Sequence, residues 1–169
     1  ELLLQAPILQ FVQTAEPILW EDIRRFGLRN ASLLSIAPTG SIATMCGFSG
    51  GAEPLYGIAY QRTTHSLARE GKVFPVLARS VRDLMRARSM EKAAVESLRQ
   101  KYHYIVAAHD IAPIDRVRMQ AAIQTYVDNG ISSTVNLPRG ATTEDVMAVY
   151  RMAWQTGCKG ITVFVAGCR

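Results

Sequence analysis

The sequence predicts an α/β chain built around parallel strands. Three observations carry that prediction. The apolar runs alternate in type along the chain: strand, helices, strand, helix, strand. Two β-branched runs, Ser133–Leu137 and Gly160–Val165, are separated by an amphipathic helical segment. A helical crossover of that length between two strands implies parallel pairing. The third observation is a shortage: only three strands are evident, too few to cover both faces of a parallel sheet. A larger barrel or a partner chain is therefore expected to complete it.

The elements follow from local signals. Residues 18–26, Ile-Leu-Trp-Glu-Asp-Ile-Arg-Arg-Phe, form a short amphipathic pattern that Gly27 is placed to end. Leu33-Leu34-Ser35-Ile36-Ala37 reads as a buried strand closed by Pro38. Thr39-Gly40-Ser41 is turn-like and leads into the first turns of a helix at Ile42–Cys46, which Gly47, Gly50 and Gly51 cut short. Residues 55–72 have no clear period. Residues 75–101 predict two helices split near Ser89. Pro113 opens a longer helix, whose apolar face is expected at Met119, Ala122, Ile123, Tyr126 and Val127. Asn129-Gly130 ends it, and Pro138 stops the strand that follows. Thr142 and Asp145 have the spacing of a capping box. Val146, Val149, Tyr150, Ala153 and Trp154 make the apolar stripe of that last helix, which Gly157 terminates.

Composition excludes several classes. The chain has 169 residues, 49 % hydrophobic and 20 % charged, as in an ordinary globular domain or a large piece of one. No apolar run approaches the ~20 residues of a membrane span. The start, Glu1-Leu2-Leu3-Leu4-Gln5, has no basic leader and no Met, so a fragment or processed product is expected. Three widely spaced cysteines, Cys46, Cys158 and Cys168, fit neither a disulfide framework nor a zinc site. A reducing, cytoplasmic setting fits them. Cys46 and Cys158 are expected as small core residues and Cys168 as an exposed thiol. Net charge is +5, with Arg79, Arg82, Arg86, Arg88, Lys92, Arg99 and Lys101 in one stretch. That stretch reads as a solvated helix face, with a phosphate-rich partner as the sharper alternative; the lack of interleaved aromatics argues against a single-strand stacking platform, and nucleic acid is not the expected partner.

The stretch with most chemical content is Ala37-Pro38-Thr39-Gly40-Ser41-Ile42. It lies at a predicted strand end, just before a helix N-terminus. Ligands bind there in α/β proteins, because the first helical N–H groups lack partners and carry partial positive charge. Thr39 and Ser41 add hydroxyls, and Gly40 removes a Cβ from the path of an approaching oxyanion. An ordinary strand–turn–helix link with a hydroxyl N-cap stays open as the alternative. The lysine of a Walker A loop is absent. Glu53, before Pro54, is a candidate active-site carboxylate or a turn-stabilising acid. His65, His103 and His109 lack ligand spacing, and Asp110, Asp115 and Asp128 have no evident partner for paired acid–base work.

Five collinear blocks carry a family resemblance. They are Arg29–Ile42, Ser49–Pro54, Arg118–Gln124 with Val127–Ser132, Thr134–Pro138, and Gly157–Val163. From about residue 18 onward the chain resembles the C-terminal part of the catalytic barrel of adenosylcobalamin-dependent (class II) ribonucleotide reductases. The resemblance implies part of a ten-stranded α/β barrel that makes deoxyribonucleotides from ribonucleoside di- or triphosphates. In that family a cobalamin-derived radical passes to a cysteine, and the thiyl radical abstracts the substrate 3′-hydrogen. By matching positions, Pro38, Thr39, Gly40, Ser41 and Ile42 would hold the substrate phosphates. The partners implied are a ribonucleotide and the remainder of the reductase chain, or a second copy, with no membrane. Adenosylcobalamin is implied for the full-length enzyme only. The family's radical loop, Asn-x-Cys-x-Glu, is absent, so no catalytic residue is expected in this chain. Phe164-Val165-Ala166 replaces the family's Tyr-Arg-Asp, and Ser133 stands where lysine is common. The runner-up reading is a catalytically inactive remnant acting as a nucleotide- or nucleic-acid-binding or assembly module.

Overall fold

A computed structural model describes residues 7–30, 32–64, 71–90 and 95–168. The chain divides into two compact units, residues 1–38 with 113–169, and residues 39–112.

In the first unit, α1 (Pro7–Ala15) and α2 (Pro17–Phe26) each begin at a proline, whose fixed φ and missing N–H suit a first helical turn. Gly27, at φ 77°, closes α2 by donating its N–H to the Ile23 carbonyl. After residues 39–112, α6 (Pro113–Gln124), β3 (Thr134–Leu137), α7 (Thr143–Gln155) and β4 (Thr162–Val165) follow in order. β3 and β4 pair in parallel, with Val135 opposite Val163 and Leu137 opposite Val165. α7 is the crossover. Its N-terminus is a full capping box: Asp145 N–H donates to Thr142 Oγ1, and Thr142 N–H donates to Asp145 Oδ2 at 2.8 Å. Its C-terminus is a Schellman turn, in which Cys158 N–H reaches the Ala153 carbonyl and Gly157 N–H that of Trp154. Val117, Val135, Leu137, Val149 and Ala153 form the core of this unit.

Three expectations are corrected in this unit, while Cys158 packs against its core as expected. Leu33–Ala37 is not a buried strand. Leu33 and Leu34 are exposed, and the segment makes a single parallel bridge, Ile36 to Ile131. The apolar face assigned to α6 points outward at Met119, Ala122 and Tyr126. The buried stripe is Arg116, Val117, Gln120 and Gln124, because those side chains reach strand-side acceptors: Arg116 donates to Ser133 Oγ at 3.0 Å and Gln120 to the Gly160 carbonyl. On α7, Val149 and Ala153 are buried but Tyr150 and Trp154 are exposed, since β3 and β4 cover only one edge of the stripe. Cys158 is half-buried against the same core.

The second unit holds α3 (Gly40–Cys46), β1 (Ala59–Thr64), β2 (Lys72–Leu77), α4 (Arg79–Ala87), α5 (Val95–Lys101) and a 3-10 turn at Ala108–Asp110. β1 and β2 form an antiparallel hairpin, Ala59 opposite Leu77 through Thr64 opposite Lys72. The α/β expectation therefore holds for the β3–α7–β4 unit, while an unforeseen antiparallel element makes the whole chain mixed. β2 also takes the first residues of the stretch read as helix. The expected break between α4 and α5 is real: Ser89 adopts a left-handed conformation, φ 52°. Leu98, Ile58, Val81, Met85 and Ile105 form the core of this unit. Cys46 is exposed, not core, because it lies at the solvent side of the short α3.

Candidate functional site

The loop at Pro38–Ile42 is organised by one unusual residue. Thr39 is the N-cap of α3 in a left-handed conformation, φ 49° and ψ 24°. A non-glycine residue pays about 1–2 kcal/mol for that geometry. Its side chain does not cap the helix; Thr39 Oγ1 instead accepts the Gly51 N–H at 3.1 Å. That bond ties the loop to the Ser49–Pro54 block, where Glu53 N–H donates to the Gly50 carbonyl and the Glu53 residue is half-buried. The two motifs nearest the candidate chemistry thus meet in space, although their sequence gives no sign of the link.

The donors of the loop are open. Ala43 N–H closes the first helical bond on the Thr39 carbonyl at 2.8 Å. Among the described residues, the Gly40, Ser41 and Ile42 amides and the Ser41 hydroxyl have no acceptor. All three residues are exposed, and nothing lies within 4 Å of where a Cβ on Gly40 would sit. Gly47 ends α3 in a left-handed conformation, φ 77°. Arg79 then packs on it and donates to the Cys46 carbonyl at 3.1 Å. Three free amides, a free hydroxyl and open space make an anion acceptor chemically feasible at this corner.

Asp128 has a task the sequence did not suggest. Its Oδ2 accepts the N–H groups of Leu33 at 2.7 Å and Leu34 at 3.0 Å. Those two bonds, and Lys159 behind them, hold its carboxyl below the ordinary aspartate value. Asn129 N–H returns a bond to the Leu34 carbonyl, Asn129 Nδ2 donates to Ser32 Oγ, and Ser132 N–H donates to the Ile36 carbonyl. Buried Gln124 completes the arrangement. Its Nε2 donates to the Val127 and Asn129 carbonyls at 2.8 Å, and its Oε1 accepts the Lys159 N–H. The lead-ins to β3 and β4 and the segment before Pro38 are thereby joined. Beside them lies a cavity of about 250 Å³ lined by Gln124, Tyr126, Asp128, Thr156 and Lys159, among others.

The remaining candidates are engaged elsewhere. Arg99 pairs with Asp110 at 2.6 Å, and Asp110 also accepts the Ala107 N–H at 2.7 Å; that amide bond first, then Arg99, lowers its pKa. His109 meets the Tyr56 ring edge-on at 5.3 Å. Arg79 pairs with Asp83, and Arg82 donates to the Leu77 carbonyl, so part of the basic stretch serves its own fold. Lys92 and His65 lie outside the described residues.

Comparison with known proteins places this arrangement. The family model described as "Ribonucleotide reductase, barrel domain" matches residues 13–164. The chain belongs to the ribonucleotide reductase barrel-domain family. It is 39 % identical over 150 residues to a vitamin B12-dependent ribonucleoside-diphosphate reductase of Mycobacterium tuberculosis, covering 83 % of this chain and 22 % of that protein. It is 34 % identical over 146 residues to the protein of the same name from Thermoplasma acidophilum, covering 81 % and 19 %. The chain thus spans about a fifth of these reductases. Among solved structures, the class Id ribonucleotide reductase alpha subunit of Actinobacillus ureae shares its fold, with TM-score 0.60, 18 % identity, and coverage of 87 % of this chain and 30 % of that one. Among the described residues the strands form two separate two-stranded sheets, β1–β2 and β3–β4, neither of them closed. Among the described residues, no group of three or more His, Cys, Asp or Glu could hold a metal ion, and no helix is long and apolar enough to cross a membrane.

Proposed function

We propose that this chain is part of a ribonucleoside di- or triphosphate reductase and that residues 38–42 bind the substrate's phosphates. The observation that supports this most directly is the trio of unpaired amides at Gly40, Ser41 and Ile42, beside an unpaired Ser41 hydroxyl. A phosphate oxygen accepting these donors would satisfy groups that otherwise face water, and the strained Thr39 conformation aims them together. The chain would supply binding and orientation. The radical cysteine would come from another segment of the reductase. Exposed apolar residues such as Leu33, Leu34, Met119 and Tyr126 would then pack against the rest of the barrel.

The names of the relatives imply a vitamin B12 cofactor for the complete reductase; as adenosylcobalamin it would supply the initiating radical. The described residues do not fit that group. Cavities of about 250, 360 and 460 Å³ are each too small for a corrinoid, and the last is bordered by the Arg99–Asp110 pair and the Tyr56–His109 contact.

The test is binding of pyrophosphate and of a ribonucleoside diphosphate, followed by calorimetry. Saturable binding abolished by Ser41→Ala combined with Gly40→Asp supports the reading; unchanged binding removes it. Deoxyribonucleotide formation by this chain alone, with adenosylcobalamin and a dithiol, would contradict the assignment of radical chemistry to other segments. The alternative is a binding or assembly remnant. Arg86 and Arg88 favour it modestly, being exposed with no carboxylate within 4 Å among the described residues. Steeply salt-dependent DNA binding lost on changing Arg82, Arg86 and Arg88 would select that reading.

A further inference from the structure

We propose that the unit 39–112 carries a ligand site of its own, a cleft of about 130 Å³ lined by Phe48, Tyr60, Arg79 and Arg82 among others, which takes a pyrimidine nucleoside monophosphate. The single-ring base lies against the two aromatic side chains and the phosphate meets Arg82. The site uses none of residues 38–42 and does not depend on the reading of that loop.

The cleft lies where the end of α3, the residues before β1, the end of β2 and the start of α4 meet. Two glycines let its walls come close. Tyr60 lies over Gly57, with its Cδ1 3.5 Å from where a Cβ on that glycine would sit. The Arg79 side chain crosses Gly47 on its way to the Cys46 carbonyl. The charges along this wall are not balanced. Asp83 pairs with Arg79 at 3.7 Å, so that guanidinium is neutralised within its own helix. Arg82 gives one N–H to the Leu77 carbonyl at 3.3 Å and, among the described residues, has no carboxylate within 4 Å. Arg86, one helical turn on, is exposed and in the same position. A guanidinium carries a fork of N–H donors, and a phosphate is the acceptor that suits two of them at once. Beside these cations Phe48 is 69 % exposed and Tyr60 38 %. Flat apolar rings next to unmatched positive charge suit a ligand that is flat at one end and anionic at the other. Size then selects the ligand. The volume is close to that of a cavity of about 150 Å³ that accepts one benzene ring. One ring enters; a purine or a run of stacked bases does not. The arginines of residues 79–88 have no aromatic residue among them in sequence, and folding brings Phe48 and Tyr60 to them from two other segments.

The experiment titrates the full chain with uridine monophosphate by calorimetry, with uridine, inorganic phosphate and adenosine monophosphate as comparisons. Aromatic proton resonances are followed in the same titrations. In the wild-type chain the Phe48 and Tyr60 ring signals should shift with uridine monophosphate, and uridine or phosphate alone should bind more weakly. Arg82→Gln should weaken uridine monophosphate by about tenfold, as loss of a charged donor does, and leave uridine unaltered. Arg82→Lys keeps the charge without the fork and should fall between the two. Phe48→Ala should weaken uridine monophosphate by about fivefold or more and leave phosphate unaltered. Both side chains are exposed, and circular dichroism checks that each variant folds. Unmoved Phe48 and Tyr60 signals in the wild-type chain overturn the proposal without any variant. So does uridine monophosphate binding that neither Arg82→Gln nor Phe48→Ala changes. Binding lost in the Gly40→Asp, Ser41→Ala chain but intact in both cleft variants would assign the ligand to residues 38–42 and overturn the cleft. Tighter binding of adenosine monophosphate overturns the single-ring selection. A single-stranded oligonucleotide that binds more tightly than the mononucleotide, with steep salt dependence, would assign the surface to nucleic acid and overturn the proposal.

Discussion

Replacing Gly47 by alanine is expected to destabilise the chain by about 2–3 kcal/mol, from two separable causes. Gly47 ends α3 at φ 77°, ψ 27°, and a Cβ in that left-handed geometry costs about 1–2 kcal/mol. The second cause is steric. The new Cβ would lie 2.7 Å from Arg79 Cδ and 3.0 Å from Arg79 Cβ. Cδ can swing away by a rotamer change, but doing so surrenders the 3.1 Å bond from Arg79 to the Cys46 carbonyl, worth about 1 kcal/mol. The Arg79 Cβ belongs to the first residue of α4 and cannot move without the helix. Urea denaturation followed by far-ultraviolet circular dichroism measures the total. Arg79→Ala in the Gly47→Ala background separates the causes: it removes the Cδ contact but leaves both the φ strain and the Cβ contact. It should therefore return no more than about 1 kcal/mol. Full recovery in the double variant, or a Gly47→Ala change within about 0.5 kcal/mol of wild type, would refute the reasoning.

Other outcomes follow from the same structure. Leu137→Ala, at 2 % exposure among Val117, Val135 and Val149, should cost about 2–5 kcal/mol by chemical denaturation. Thr142→Ala removes the cap of α7 and should cost about 1 kcal/mol, read as a lower melting temperature. Asp110 should contribute to acid stability. Its carboxyl is held low by the Ala107 amide and then Arg99, so its contribution is complete above the ordinary aspartate pKa and lost as pH falls through the lowered one. Asp110→Asn should therefore lower stability near neutrality and flatten its decline below about pH 4, as followed by thermal melts across pH.

The candidate loop was legible in part. A strand-like run, a proline and Thr-Gly-Ser before a short helix are local signals, and α3 does form, though it begins at Gly40 and not at the expected Ile42. What stayed hidden was the left-handed Thr39 and its bond to Gly51, twelve residues on. Threonine carries no propensity for that conformation, so only the tertiary contact reveals it. The hairpin β1–β2 escaped notice for another reason. Its burial pattern is irregular, with alternation blurred over Lys72–Leu77, so neither period stands out.

The sequence by itself determined what depends on neighbours a few residues away. It specified the Gly27 end of α2, the cap and end of α7, the proline start of α6, and the parallel pairing of β3 with β4 through a helical crossover. Its motifs also carried the reductase family. Tertiary structure alone decided which face of α6 is buried, because Arg116, Gln120 and Gln124 are chosen by distant acceptors and not by hydropathy. It alone decided the role of Asp128, whose partner Leu33 lies 95 residues earlier. The physical reason is common to both. A helical cap is closed by atoms three or four residues apart, whereas a carboxylate or amide that bridges strands finds its partners only once the chain has folded.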